Sequence, residues 1–323
     1  MKVLVAGGAG YIGSVTTELL LNDGHEVVVF DNLERGHREA VDKRAGFRKG
    51  DLRDKDRIFK VMSEIRPDAV MHFAAYALVP ESMEKPELYF RNNVYGGINL
   101  VESMYKYDVG KIVFSSTCAT YGQPEKVPIT EDVAQRPTNP YGESKLMFEQ
   151  TLKWYHELHG MTTVFLRYFN ACGATEKFGE DHDPETHIIP IILQVALGQR
   201  KQVKIYGDDY NTPDGTCLRD YIHIVDLAQA HILALKGKVS GPFNLGTGNG
   251  YSVLEVVETA REVTGHPIPA EIAPRRPGDP AKLVAGAEKA RKILKWKPQY
   301  DDLDSILQSA WNWHQKHPRG YRK

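Results

Sequence analysis

The chain has 323 residues, of which 41% are hydrophobic and 26% charged, with a formal net charge of −1. That balance suits one large or two moderate globular domains and excludes overall disorder and a global basic field for nucleic acid or an anionic membrane. No window reaches the roughly 18–20 apolar residues of a membrane span, and Cys118, Cys172 and Cys217 are too few and too scattered for a disulfide framework or a zinc site.

The N-terminus runs directly into KVLVA (2–6), which reads as a buried parallel strand and not as a signal peptide, so a reduced, cytoplasmic protein is expected. Gly7, Gly10 and Gly13 follow in GGAGYIG, and SVTTELLLNDG then predicts an amphipathic helix ended by Gly24. A strand, a glycine turn and a helix N-terminus make a phosphate cradle, because backbone N–H groups and the helix dipole both favour an anion. The spacing is G-x-x-G-x-x-G, and alone it is equally a turn without a ligand. EVVVFD (26–31) predicts a second strand ending in Asp31, whose carboxylate suits both ribose hydroxyls and repels a 2′-phosphate. NAD is therefore favoured over NADP, with Arg35 and His37 nearby working against that preference.

FRKGDLRD places Asp51 after a third strand, as an adenine contact or a helix N-cap. DAVMHFAA (68–75) predicts a fourth strand ending in small residues that let a cofactor backbone approach. Asn92 and Asn93 open a helical pattern, and KIVFSST (111–117) delivers Ser115, Ser116 and Thr117 to the carboxyl edge where open parallel sheets bind ligands. After a Pro-, Gln- and Thr-rich loop (123–140), Tyr141 and Lys145 stand four apart and share one helix face. An ammonium one turn away stabilises a phenolate, so the pair can move a proton as an alcohol becomes a ketone. In isolation such a pair is far more often an ordinary helix surface. TTVFLRYFN (162–170) completes a sixth strand, and the alternation predicts an α/β fold with a doubly wound parallel sheet.

After Asn170 the texture changes to polar loops and shorter elements. We expect residues 1–170 to form the NAD-binding domain, with a segment near 219–238 crossing back, and 171–323 a smaller C-terminal α/β substrate domain. HIIPIILQVALG predicts a helix with Pro190 in its first turn, and KQVKIYG a strand. Asp226 reads as the cap of the helix VDLAQAH. His182 and His187 have metal-like spacing in HDPETH but no second cluster, so no metal is expected. His223, His231, Trp296, Trp311 and Trp313 read as packing residues, and Cys118 as a small core residue.

GGAGYIG, Asp31, HFAA, NNV, FSST, Y-x-x-x-K and RYFN, in that order, resemble the extended short-chain dehydrogenase/reductases. GDDYNTPDGTCLRDYIHIVDLAQAH, FNLGTGNGYSV and APRRPGDP narrow the resemblance to the UDP-glucose 4-epimerase family, over essentially the whole chain. It implies a Rossmann-type fold in which Tyr141 is the acid/base, Lys145 its electrostatic partner and Thr117 the third member. It further implies that Tyr11, Ile12, Asp31, Asn32, Asp51, Leu52, Phe73, Ala74, Ala75, Asn92, Tyr168 and Phe169 line NAD with the glycines. Asn170, His187, Tyr206, Arg219, Arg275, Asp279 and Leu283 would hold a UDP-sugar, and a homodimer is implied.

Three departures stand out. Ala77 replaces a Lys that some members place near the cofactor phosphates, His187 replaces an Asn, and Leu283 falls where small residues admit N-acetylhexosamines and tyrosine blocks them. The resemblance implies reversible C4 epimerisation of UDP-glucose and UDP-galactose through a 4-keto sugar, possible on UDP-GlcNAc and UDP-GalNAc as well. Sugar-nucleotide dehydratases place an Asp-Glu pair after the Thr, where this chain has Cys118 and Ala119. An NAD(H)-sensing binding module and an ordinary dehydrogenase that releases NADH are the competing readings.

Overall fold

The computed structural model describes residues 1–276 and 279–322. Its first half alternates β1 (Lys2–Ala6), α1 (Tyr11–Asn22), β2 (Glu26–Asp31), β3 (Gly46–Lys49), α2 (Lys55–Ile65) and β4 (Ala69–His72). Then come α3 (Val79–Glu84), α4 (Pro86–Tyr89), α5 (Gly96–Lys106), β5 (Lys111–Thr117), α6 (Pro140–His159) and β6 (Thr162–Tyr168). The second half contains β7 (Asn170–Cys172), α7 (Ile188–Ala196), β8 (Val203–Tyr206), β9 (Leu218–His223), α8 (Ile224–Lys236) and β10 (Gly241–Leu245). It ends with β11 (Gly250–Ser252), α9 (Val253–Thr264), β12 (Ala270–Ala273), β13 (Lys282–Leu283) and α10 (Leu303–Lys316).

The expected doubly wound parallel sheet is present, with seven strands in the order β10-β6-β5-β4-β1-β2-β3. Its central strands are apolar throughout because helices cover both faces. Along β1, Val3 and Val5 pack with α1 and α8, whereas Leu4 and Ala6 pack with α2, α5 and α6. This is the period-2 alternation of a strand buried on two sides. β10 comes from far along the chain and supplies the seventh strand, pairing in parallel with β6.

A smaller sheet is built on β9, whose first residues pair with β11 and β13 and whose last three pair with β7. β8 and β12 form a separate parallel pair. A core of Ile192, Leu193, Val256, Ile306, Leu307 and Trp311 joins these strands to α7, α9 and α10. Trp296 and Trp313 are each 1% exposed, as packing residues should be. Among the described residues no helix is long and apolar enough to cross a membrane.

Three local expectations are corrected. Asn92 and Asn93 do not open a helix; they lie inside a helical run from Pro86 to Lys106 that passes through a π-helical stretch at Phe90–Tyr95. Asp226 does not cap α8, because β9 runs straight into the helix and His223 accepts from the Val225 N–H instead. The Asp226 carboxylate caps another segment, accepting from the N–H groups of Gln299 and Tyr300. Asp51 is not the N-cap of α2 either; Asp54 fills that place and accepts from Arg57 N.

Candidate active site

One cavity of about 1070 Å³ runs along the carboxyl edge of the large sheet. It exceeds the roughly 300–1,000 Å³ of a pocket for one small ligand. Every sequence-predicted site residue lines it except Arg275.

The dinucleotide end is shaped by backbone. Gly7 has φ +83°, and a Cβ there would stand 2.3 Å from Ala74 N. A Cβ on Gly13 would lie 2.2 Å from Gly7 O. Both glycines let strand, turn and α1 close together. Gly10 differs, for its Cβ would meet nothing nearer than Gly7 O at 3.5 Å, so this glycine faces open space at the helix N-terminus. Such a cradle fits a pyrophosphate. Asp31 accepts from Ala9 N at 3.0 Å and Leu33 N at 2.8 Å; burial pushes its carboxyl up, while these two donors hold it down.

Asp51 is clamped by Arg53 and by Asn32 Nδ2 at 2.9 Å, and despite burial those donors hold it down at about 2. Arg35, one of the two residues that weigh against the NAD preference, donates through Nη2 to both carboxylate oxygens of Glu81. The NAD preference read from Asp31 therefore has no free rival in Arg35. Ala77 lines this end and offers no charge.

The middle of the cavity holds the proton-transfer candidates. Asn139 caps α6 by accepting from Gly142 N at 2.8 Å, and Pro140 takes the first helical position, so Tyr141 enters at the second. The buried Asn93 holds that end by donating to Ser144 Oγ at 2.9 Å, and Ser144 Oγ donates to Tyr141 O. Asn92, its neighbour, faces the cavity. Thr117 ends β5 with its Oγ1 accepting from Ala119 N. Lys145 Nζ donates to Ser115 O at 2.8 Å. Burial pushes the Tyr141 phenol well above its ordinary value and pulls Lys145 down to about 7, with Glu149 opposing the latter shift. Burial also pushes the Cys118 thiol up to about 12, so this cavity-lining cysteine stays protonated and unreactive.

At the far end stand Asn170, Tyr206, Arg219, Asp279, Leu283 and His187. Asn170 Nδ2 donates to Asp220 O, and Arg219 pairs with Asp279 at 2.5 Å. Of the two adjacent arginines, Arg275 turns away to pair with Asp209 and lies over Tyr210. Arg276, which the sequence reading left unassigned, lines the cavity and stacks over Tyr206 at 3.9 Å. Guanidinium planes of this kind suit a pyrophosphate.

The expectation of no metal rested on finding no second ligand cluster in the sequence. The fold brings Glu180 and Glu185 to His182 and His187, with one heteroatom from each within 4.8 Å of the others. Burial disfavours the imidazolium forms, yet the facing carboxylates hold His182 up at about 9 and His187 at about 10.

Residues 3–246 match the NAD dependent epimerase/dehydratase family. The chain is 56% identical to a UDP-glucose 4-epimerase of Lacticaseibacillus casei over 99% of each chain. A crystal structure of a UDP-glucose 4-epimerase superposes with a TM-score of 0.98 at 53% identity, covering all of both chains. The Bifidobacterium longum UDP-glucose 4-epimerase in complex with NAD+ and UDP does so with a TM-score of 0.94 at 43% identity, covering 99% of this chain and 100% of that one.

Proposed function

The chain belongs to the NAD dependent epimerase/dehydratase family, and on that premise we propose that it interconverts UDP-glucose and UDP-galactose by inverting C4. One observation carries this reading: Tyr141 and Thr117 line the same cavity as the glycine cradle and the Arg219 and Arg276 guanidiniums. A cofactor in the cradle and a sugar nucleotide on the guanidiniums would meet at these two hydroxyls.

NAD, when bound, supplies the acceptor and returning donor for the C4 hydride. Gly10, Tyr11, Ile12, Asp31, Asp51 and Lys145 are the residues that would hold it. Tyr141 takes the proton of the 4-hydroxyl and gives it back on either face of the sugar. Thr117 holds the reacting oxygen by a hydrogen bond. Lys145 carries charge toward the Tyr141 side of the site from its seat on Ser115 O. Arg219 and Arg276 grip the pyrophosphate, so the hexose can turn about its glycosyl-phosphate bonds while the nucleotide stays fixed. After Thr117 come Cys118, kept protonated by burial, and Ala119. Neither can serve as the acid or base of a dehydration, which favours the return of a 4-keto sugar by reduction.

Leu283 on β13 stands at the sugar end, intermediate in size between residues that admit an N-acetyl group and the tyrosine that blocks it. Turnover on N-acetylated hexosamines is accordingly slower than on hexoses in this reading. The protein acts as a homodimer in the cytoplasm, where its three free thiols remain reduced.

The test is to supply purified protein with UDP-galactose and no added oxidant or reductant, then assay UDP-glucose after quenching. An equilibrium mixture is expected. A requirement for stoichiometric NAD, with NADH released each turnover, would replace the epimerase by a dehydrogenase.

A further inference from the structure

The loop between β7 and α7 carries four side chains of metal-binding type that the proposed epimerisation does not use together. Along Glu180–Asp183 alternate residues face opposite ways. Asp181 and Asp183 turn to ion pairs with His37 and Arg322. Glu180 and His182 turn the other way and meet Glu185 and His187 from the far end of the loop. An extended segment with a period of two sorts its side chains in this manner.

The four side chains form a compact group. His187 Nδ1 lies 2.9 Å from Glu180 Oε1 and 3.0 Å from Glu185 Oε1. His182 Nδ1 lies 3.2 Å from Glu180 Oε1 and 3.6 Å from Glu185 Oε2. A tetrahedral zinc ion with nitrogen and oxygen ligands near 2.0–2.1 Å sets neighbouring donors roughly 3.4 Å apart. These four contacts bracket that edge length, and taking one donor atom from each residue the whole set lies within 4.8 Å.

Ion pairing accounts for most of these contacts but leaves one nitrogen without a partner. Among the described residues, the His187 Nδ1 contact with Glu185 Oε1 is the one of these four with hydrogen-bond geometry. His182 Nδ1 is shielded from solvent and makes no hydrogen bond, although two carboxylates lie close. A buried ring nitrogen this close to carboxylate oxygens without bonding to them calls for a further partner. Glu180 is only 6% exposed, so its charge needs a compact counter-charge. Two carboxylates and two neutral imidazoles around one divalent cation are electrically balanced.

We propose that Glu180, His182, Glu185 and His187 form a four-coordinate site for a divalent transition-metal ion, zinc being the best match to two imidazoles and two carboxylates. The ion ties both ends of the loop together. His187 immediately precedes α7 and also lines the cavity, so the ion holds the sugar-side wall in place. The cavity gives it an entry path. The site is independent of the reaction assigned above, since a failed epimerase assay leaves the metal-binding result standing.

Full-length protein, freed of metal by chelator dialysis with its cofactor retained, would be titrated with zinc against a chromophoric chelator. A parallel titration with cobalt would follow visible absorption. One equivalent of zinc per chain is expected, with intense tetrahedral d–d bands for cobalt. His182→Gln should weaken binding by about 100-fold or more, and Glu180→Gln is the second variant. Zinc should raise the melting temperature of the wild type and leave that of His182→Gln unchanged. Absence of binding in the wild type, or equal binding in wild type and both variants, would overturn the proposal and leave a quartet of ion pairs.

Discussion

Lys145 Nζ donates to the Ser115 carbonyl at 2.8 Å, and so ties the helix bearing Tyr141 to the strand bearing Thr117. The lysine thus positions the two elements that carry these hydroxyls. Tyr141→Phe removes the proton carrier and leaves this tether intact. Its kcat should fall by about 10²–10⁴, the usual worth of a positioned acid/base, with melting temperature and NAD content unchanged. Lys145→Met should lose both activity and NAD. Retention of wild-type turnover by Tyr141→Phe would remove this residue from the mechanism.

Arg275 and Arg276 are adjacent but point to different surroundings. Arg276→Ala should raise KM for UDP-galactose about 10–100-fold, the range expected for a lost charge-assisted hydrogen bond. Arg275→Ala should leave KM near the wild-type value. The reverse ranking in steady-state kinetics would exchange their roles.

Beneath Thr117 lies a buried ion pair. Arg167 (1% exposed) grips Glu149 (0%) with two nitrogens, and Ser116 Oγ donates to the same carboxylate. Arg167→Met strands the carboxylate, and denaturant titration should show a loss of about 3–5 kcal/mol. The double variant Glu149→Leu/Arg167→Met should recover part of that loss, since no charge is left unpaired. A double variant as unstable as the single one would mean that packing, not charge, is at stake.

His231 is fully buried, its Nε2 has no partner, and burial pulls it down to about 4. The folded state therefore binds fewer protons than the unfolded one between pH 6.5 and 4. The associated stability is complete above pH 6.5 and is lost as pH falls through about 4. Burial depresses His223 likewise to about 4 and His72, with Lys145 adding, to about 3. Between pH 7 and 4, wild type should lose about 3 kcal/mol more than His231→Leu. Urea titrations at the two pH values measure this, and parallel losses would contradict it.

Met147, Trp154 and Leu158 expose apolar side chains along α6, with Trp154 at 66% and Leu158 at 68%. On α5, Tyr105 stands beside them and packs on Tyr155 and His159. An apolar two-helix face of this kind suits a second copy across a two-fold axis. Trp154→Glu should halve the mass measured by light scattering. A wild type of single-chain mass would end the dimer proposal.

Features governed by local backbone were legible in the sequence. The glycine turn, Asp31 at the end of β2 and the four-residue step from Tyr141 to Lys145 each follow from one period or one turn. Features that depend on the register of an irregular loop were not. Whether Arg275 or Arg276 faces the cavity depends on one half-turn of chain that no periodicity announces. Glu180 and Glu185 join His182 and His187 only because the loop folds back on itself, so spacing alone left the histidines without company. The placement of Asp226 failed for a related reason: a strand that becomes a helix without a loop shifts the cap three residues back, to His223.

β10 enters the large sheet only after the chain has already built β7, α7, β8 and β9 elsewhere. A gene cut at Asn170 would yield a product with β6 as a bare sheet edge and α1 stripped of its partner α8. The dinucleotide half is thus no transferable cassette. Its seventh strand reaches it late in synthesis, after β7, α7, β8 and β9, so fission of the chain at that point would leave the large sheet incomplete.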